Sequence, residues 1–357
     1  MFSHNDFNCC IVKRHSVLLE CIIYHVIQIL FVNMDIALEL CLYLNALVMM
    51  KTWHISFSAG DEVLCRDEDD FNYLFNCIAL AIAKNDATLL ADSEMSTHFH
   101  KCIRSESPLA VFHDARYAYS RRFNRKYSRK GRFGEPRPYV IELEGRYHVM
   151  SAMLYVLRNA LHHGVCATPF GYPHNSSRCV FRKELGFDLN DAIKVDRNIH
   201  RLMPAHVEVP AGYTMTESGL ILRESVVDVA DVEHIFGTPR SYLYHMNRLS
   251  GEEWIKEQSE DKHGSSPITL KIIEEGMPYH SVHELRTNEY GVSNYKALTY
   301  TEACSIIQDR IISKYSKNSV YLLSRAEANE TANWLYTTWR LSRKMISRCL
   351  ALYYDRR

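Results

Sequence analysis

Past residue 52, apolar and polar positions alternate, then fall into helical step, in a repeating order. Trp53 to Ser58 alternates with period two and predicts a half-buried strand. Gly60-Asp61 turns the chain, and Asp67 to Asp70 places acidic residues where a helix N-terminus favours them. Phe71, Leu74, Phe75, Ile78 and Ile82 follow at helical spacing. Ala87 to Ala91 and His98 to Ile103 read as two short strands paired as a hairpin. Ser107-Pro108 opens a second helix carrying Val111, Phe112, Ala115, Tyr119 and Phe123. Tyr139 to Leu143 alternates again. Tyr147 to His163 returns to helical period, with Met150, Met153, Leu154, Leu157 and Leu161 as its apolar stripe and Gly164 as its stop. The order β-α-β-β-α-β-α predicts an α+β fold: a ferredoxin-like antiparallel sheet with packed helices and one added helix.

Two further regions flank this core. Ser16 to Met50 is mostly apolar but interrupted by Glu20, His25, Asp35 and Glu39, so it falls short of the ~20 apolar residues of a spanning helix. It lacks a convincing signal-cleavage site. Residues 1–50 read as an extension or translated upstream sequence, with a start at Met49 or Met50, and no membrane partner is expected. After Pro169-Phe170-Gly171-Tyr172-Pro173 the pattern is mainly helical through residue 319. Asp228 to Phe236 and Pro239 to Leu249 form a short helix pair, and Asp261 to Pro267 is polar and loop-like. Ala326 to Thr337 and Ser342 to Leu350 predict two helices joined at Trp339-Arg340-Leu341. Met345, Ile346, Cys349 and Leu350 are expected inward; Arg343, Lys344, Ser347 and Arg348 are expected outward. Residues 320–357 therefore read either as a helix-turn-helix or as ordinary core helices.

Composition narrows this little. Among 357 residues, 42 basic side chains balance 42 acidic ones, so any electrostatic signal is local. Eleven cysteines without a Cys-x-x-Cys pair argue against a disulfide framework or tetrathiolate zinc site, and fit a reducing, cytoplasmic setting. One local signal stands out. Arg116, Arg121, Arg122, Arg125, Lys126, Arg129, Lys130, Arg132 and Arg137 crowd one stretch with Tyr117, Tyr119, Phe123, Tyr127 and Phe133 interleaved. Cations neutralise phosphates and aromatics stack on unpaired bases, so this stretch suits nucleic acid better than a merely solvated helix face.

Candidate chemistry sits at Met95-Ser96-Thr97-His98-Phe99-His100. On a strand His98 and His100 share one face while Phe99 points into the core. Two imidazoles so spaced can hold one divalent cation, although His-x-His alone is a weak motif. Cys102 shares that face and would make a softer site. On the last helix of the core, Tyr155 and Asn159 are four apart and point the same way.

Three stretches together resemble the REP-associated tyrosine transposases, within the wider group of histidine-hydrophobic-histidine single-strand DNA nucleases. The family's Met-Pro-Asn-His-Val-His strand is similar to Met95 to His100. Its basic Arg-Tyr-x-x-x-Phe-Asn-Arg-x-Tyr helix is similar to Tyr119 to Tyr127. Its Tyr-Ile-x-x-Asn-Pro-x-x-x-Gly helix is similar to Tyr155 to Gly164. The resemblance covers about residues 52 to 186, with Ser96-Thr97 and Ala160 departing from the family pattern. It implies a catalytic domain over 51–165, with Mg2+ or Mn2+ held by His98, His100 and Asn159. Tyr155 would be the nucleophile forming a 5′-phosphotyrosine, acting on single-stranded or hairpin DNA. Tyr147 is its main rival, ahead of Tyr117, Tyr119 and Tyr127. DNA contacts are expected from Arg116, Arg121, Arg122, Arg125, Lys126, Arg129, Lys130 and Arg132, and from Arg343, Lys344 and Arg348. His162 and His163 are expected at the surface. Relatives include monomers and shared-site dimers, so a homodimer stays open. Two other readings remain: a non-catalytic DNA-binding protein derived from a transposase, and a metal-dependent RNA-binding protein on the same kind of sheet.

Overall fold

The chain divides into two units, Met1–Met50 and Lys51–Arg357. The computed structural model describes residues 50–187, 193–194, 203–204, 208–247, 272–273 and 298–354. The expected extension and the polar stretch from Asp261 to Pro267 lie outside these residues.

Strand β1 (Thr52–Ser58), helix α1 (Glu68–Lys84), strands β2 (Thr88–Glu94) and β3 (His98–Arg104), helix α2 (Pro108–Lys126), strand β4 (Tyr139–Leu143) and helix α3 (Gly145–His162) follow in chain order. The four strands form one sheet in the order β2-β3-β1-β4, with every neighbouring pair antiparallel. That is the ferredoxin-like arrangement expected from the pattern. Asp67 caps α1, its carboxylate accepting from the Asp70 backbone N–H at 3.0 Å.

The pleat sorts the strands into two unlike faces. Ile55, Phe57, Phe99 and Ile103 pack under α1 and α2; the Phe57 ring lies 5.6 Å from Phe99 and 5.1 Å from Phe112 of α2. The other face carries His54, Ser56, Ser58, Ser93, His98, His100 and Cys102, set side by side by the register Ser56↔His100, Ser58↔His98 and Ser93↔His100. Such a face would ordinarily meet water. Here α3 lies across it, packed on β2 and β3, and all seven of these residues are buried.

Helix α3 is enclosed on every side from Met150 to Ala160, Ser151, Tyr155, Arg158 and Asn159 included. A single apolar stripe was expected. The difference arises because helices α4 (Val229–Phe236) and α5 (Pro239–Asn247) pack on its outer side. The segment after α3 also folds back. Asn175 donates to the Leu157 carbonyl at 3.1 Å, and Tyr172 Oη to the Glu94 carbonyl at 2.7 Å. Asn175 bridges Ser93, covering the otherwise open β2 edge.

A short strand pair, β5 (Ile193–Lys194) and β6 (Thr214–Met215), precedes α4. Helices α6 (Tyr300–Tyr315), α7 (Arg325–Trp339) and α8 (Arg343–Cys349) complete the described chain, so the C-terminal region is helical as expected. Reciprocal capping boxes, Thr299 with Glu302 and Ser324 with Glu327, start α6 and α7. Arg340, at φ 55°, supplies the left-handed turn between α7 and α8 where glycine is usual. Arg348, expected outward, is buried. Helix α8 packs against both α6 and α7, which widens its buried arc beyond one stripe. No helix among the described residues is long and apolar enough to cross a membrane.

Strand β2 runs to Glu94, past the Ala91 end expected from its apolar run. Asp92 and Glu94 can sit in a buried strand because Arg223 reaches them, Nε to Asp92 at 3.0 Å and Nη2 to Glu94 at 2.6 Å. Lys101 of β3 pairs with the same two carboxylates, 3.4 Å from Asp92. Burial pushes the Asp92 carboxyl up, but Arg223 and Lys101 more than offset this and hold it below the ordinary range. Removing one cation would strand buried carboxylates. Arg223→Ala is therefore expected to lower the unfolding free energy by about 3–5 kcal/mol. Urea denaturation checks this, and a loss under about 1 kcal/mol would contradict it.

Candidate active site

β3 and α3 supply the site. His98 and His100 leave β3 on the α3 side, their rings 5.1 Å apart at an interplanar angle of 84°. The Tyr155 ring stands edge-on to His100 at 5.0 Å, and the His163 ring packs against His98 at 4.9 Å. Tyr155 and His163 are two turns apart on one stripe of α3 and its cap. Asn159 lies midway on that stripe, buried and one turn after Tyr155. The structure thus brings His98, His100 and Tyr155 together, with Asn159 one turn after Tyr155 on the same side of α3.

The neighbours are also imidazoles. His54 of β1 lies 3.0 Å from His100, Nε2 to Nδ1, and 6.3 Å from the Tyr155 ring. His162 stacks on Tyr155 at 5.6 Å. His162 and His163, expected at the surface, are half-buried against this cluster, because residues 172–177 fold back beside β2. Burial pushes His54 down to about 3 and His163 down to about 4. It pushes His162 to about 4 with help from Arg158, and His100 well below its usual value with help from His98 and His54. These imidazoles are neutral at neutral pH, the state in which imidazole is a ligand.

His100 Nε2 and both amide atoms of Asn159 are buried and make no hydrogen bond among the described residues. Leaving such atoms unsatisfied costs about 1–3 kcal/mol each. Two imidazoles and a carboxamide form an N/O donor set that fits a borderline divalent cation such as Mn2+ better than Mg2+. No group of three or more His, Cys, Asp or Glu among the described residues is arranged to hold a metal, so a cation here depends on Asn159 and on ligands from outside the chain. Cys102 is on the same face, but burial pushes its thiol up, away from the thiolate a soft site requires.

His98 and His163 also line a cleft of about 1310 Å3, walled by the α1 N-terminus, residues 171–174 and α6. Tyr155, 2% exposed, is not among the residues that line it. Of the rival tyrosines, Tyr119 donates to the Leu64 carbonyl at 2.5 Å and Tyr127 to Asp70 at 2.8 Å. Tyr117 is exposed and Tyr147 partly buried.

The basic residues divide sharply. Arg129 is buried, grips Glu62 at 2.6 and 2.9 Å, and donates to the carbonyls of Lys130, Gly131 and Arg132, shaping that loop. Lys126 pairs with Asp67 at 2.6 Å and Asp70 at 2.7 Å. Arg116 donates to the Phe133 carbonyl, and Arg122 lies 4.4 Å over the Tyr73 ring. Arg121, Arg125, Lys130, Arg132, Arg343 and Lys344 are exposed.

His54 was missed by sequence reasoning. Its signal is the alternation of β1, which puts His54 on the same side as Ser56 and Ser58. That side reads as the wet one until α3 is known to cover it.

No protein-family model matches the chain, and no curated protein matches it. Among solved structures it is similar to a REP-associated tyrosine transposase bound to a REP hairpin. The two are 11% identical with a TM-score of 0.32, over 39% of this chain and 82% of that one.

Because its amide is buried and unpartnered, Asn159→Leu is expected to leave stability unchanged or raise it. Leu157→Ala, on the same buried helix, is expected to cost about 2–5 kcal/mol. Paired urea melts check both; a loss above about 2 kcal/mol for Asn159→Leu would mean the amide serves the fold.

Proposed function

We propose that this chain is a metal-dependent single-stranded DNA endonuclease and strand transferase working through a covalent Tyr155–DNA bond. The observation that carries this reading is Tyr155 packed edge-on to His100, with the buried Asn159 amide, which has no hydrogen-bond partner among the described residues, one turn further along α3. A phenol, two imidazoles and a carboxamide lie there on one buried stretch of α3 and β3, which suits nucleophilic attack better than packing alone.

A divalent cation on His98, His100 and Asn159 would polarise and orient the scissile phosphate as a Lewis acid. Tyr155 attacks the phosphorus through its hydroxyl oxygen. The bond to the 3′ oxygen breaks, that oxygen leaves as a hydroxyl, and the 5′-phosphate stays on the tyrosine. The phosphodiester energy is kept, so a 3′-hydroxyl can reverse the step and join a new strand. His100 and His54 pack against the phenol ring, and its burial limits the water that could hydrolyse the intermediate. Arg121, Arg125, Lys130 and Arg132 supply exposed charge for the phosphates of an unpaired or hairpin DNA strand.

One observation favours a second reading, a DNA-binding protein that does not cut. Tyr155 is buried and is not among the residues that line the cleft, so a phosphate in the cleft reaches it only if residues near the end of α3 move.

The test mixes the full chain with labelled single-stranded oligonucleotides from the DNA flanking its own gene, with Mg2+ or Mn2+. A denaturation-resistant adduct is expected, falling by about a thousandfold or more in Tyr155→Phe. An adduct surviving in that variant moves the nucleophile, with Tyr147 next. Binding without adduct under both metals supports the second reading.

A further inference from the structure

His54 stands outside the ligands and nucleophile of the proposed reaction, yet from a neighbouring strand it hydrogen-bonds a ring nitrogen of a proposed ligand, His100. His54 pairs with Cys102 in the β1–β3 register, so His100, two residues along β3, is its diagonal neighbour. Diagonal pairs on one sheet face are within reach of long or aromatic side chains. The two rings lie nearly parallel, 5.2 Å apart at 21°, with His54 Nε2 3.0 Å from His100 Nδ1.

Counting protons on this pair decides what His100 can do. A neutral imidazole carries one N–H and one lone pair. The shared contact takes one proton, from either ring. If His54 donates it, His100 Nε2 must carry its own N–H, and that nitrogen cannot bind a cation. If His100 donates it from Nδ1, His100 Nε2 is a bare lone pair, and His54 keeps its proton on Nδ1. His100 Nε2 is buried, has no hydrogen-bond partner among the described residues, and lies on the sheet face that α3 covers. Only the second arrangement makes it a ligand. Ligating histidines commonly donate their other ring N–H to an acceptor, which sets the tautomer and raises basicity. That acceptor is usually a carboxylate or carbonyl; here it is another imidazole.

We propose that His54 is a positioning residue, accepting the Nδ1–H of His100 and so turning the His100 Nε2 lone pair toward a divalent cation shared with His98 and Asn159. The proposal rests on the metal-dependent reading above. It makes β1, as well as β3 and α3, part of the site. It also assigns His54 a requirement that can be separated from bulk: an acceptor at that position, of any kind, should serve.

The experiment compares the full chain with His54→Gln and His54→Leu. Glutamine keeps an acceptor oxygen; leucine fills space without one. Mn2+ binding is measured by calorimetry, fold by thermal melting, and the His100 tautomer by long-range 15N imidazole NMR of the metal-free protein. His54→Leu is expected to weaken Mn2+ binding about 10–100-fold with its melt intact. His54→Gln is expected to stay close to wild type, and wild-type His100 to be protonated on Nδ1. Mn2+ affinity unchanged in His54→Leu, or wild-type His100 protonated on Nε2, overturns the role of His54. Wild-type protein that binds no Mn2+, with His100 protonated on Nδ1, overturns instead the metal-dependent reading on which the role rests.

Discussion

The placement of α3 across the polar face of the sheet is the constraint on which the rest depends. A ferredoxin-like sheet covered only by α1 and α2 would leave His54, Ser56, His98 and His100 in water. With α3 laid over them, and α4 and α5 over α3, the same residues become a dry cluster. Burial, the largest cause, then pushes His54 and His100 down toward the neutral form, and His100 Nε2 and the Asn159 amide have no hydrogen-bond partner among the described residues. Each orphaned polar atom is a cost to folding.

The charge pattern shows the opposite conversion, from apparent function to structure. The basic stretch suggests a continuous phosphate track when read as a string. In the fold, Lys126 and Arg129 are bound to Asp67, Asp70 and Glu62, and they tie α2 and its following loop to the start of α1. Tyr321 also donates to Glu62 at 2.7 Å, so the C-terminal region joins the same network. Arg348 is likewise internal. What remains exposed is a smaller set, Arg121 and Arg125 on α2, Lys130, Arg132 and Arg137 on the loop after it, and Arg343 and Lys344 on α8. Exposed cations of this kind can change partners; buried, hydrogen-bonded ones hold their geometry.

Much of this was legible in the sequence. Period-two alternation located β1, β3 and β4, and helical spacing located α1, α2 and α3. The two β3 histidines and the Tyr155–Asn159 pair followed from the same periodicities. What escaped depended on contacts distant in sequence. His54 looks like a solvent-side residue until strand register sets it beside His100. His162 and His163 look like a frayed helix end until residues 172–177 fold back along β2. Asp92 and Glu94 look like the end of a strand because their neutralising partner, Arg223, lies 131 and 129 residues away. Local pattern carries elements; register and long-range ion pairs carry the site's surroundings.

The central claim is that β3 and α3 together build a divalent-cation site from His98, His100 and Asn159. Pulsed electron paramagnetic resonance on the full chain loaded with Mn2+ reads this directly, through the magnetic coupling of the ion to imidazole nitrogen. The expected result is bound Mn2+ coupled to two imidazoles, reduced to one in His98→Ala and in His100→Ala. Bound Mn2+ with no imidazole coupling, or coupling that both substitutions leave untouched, would contradict it.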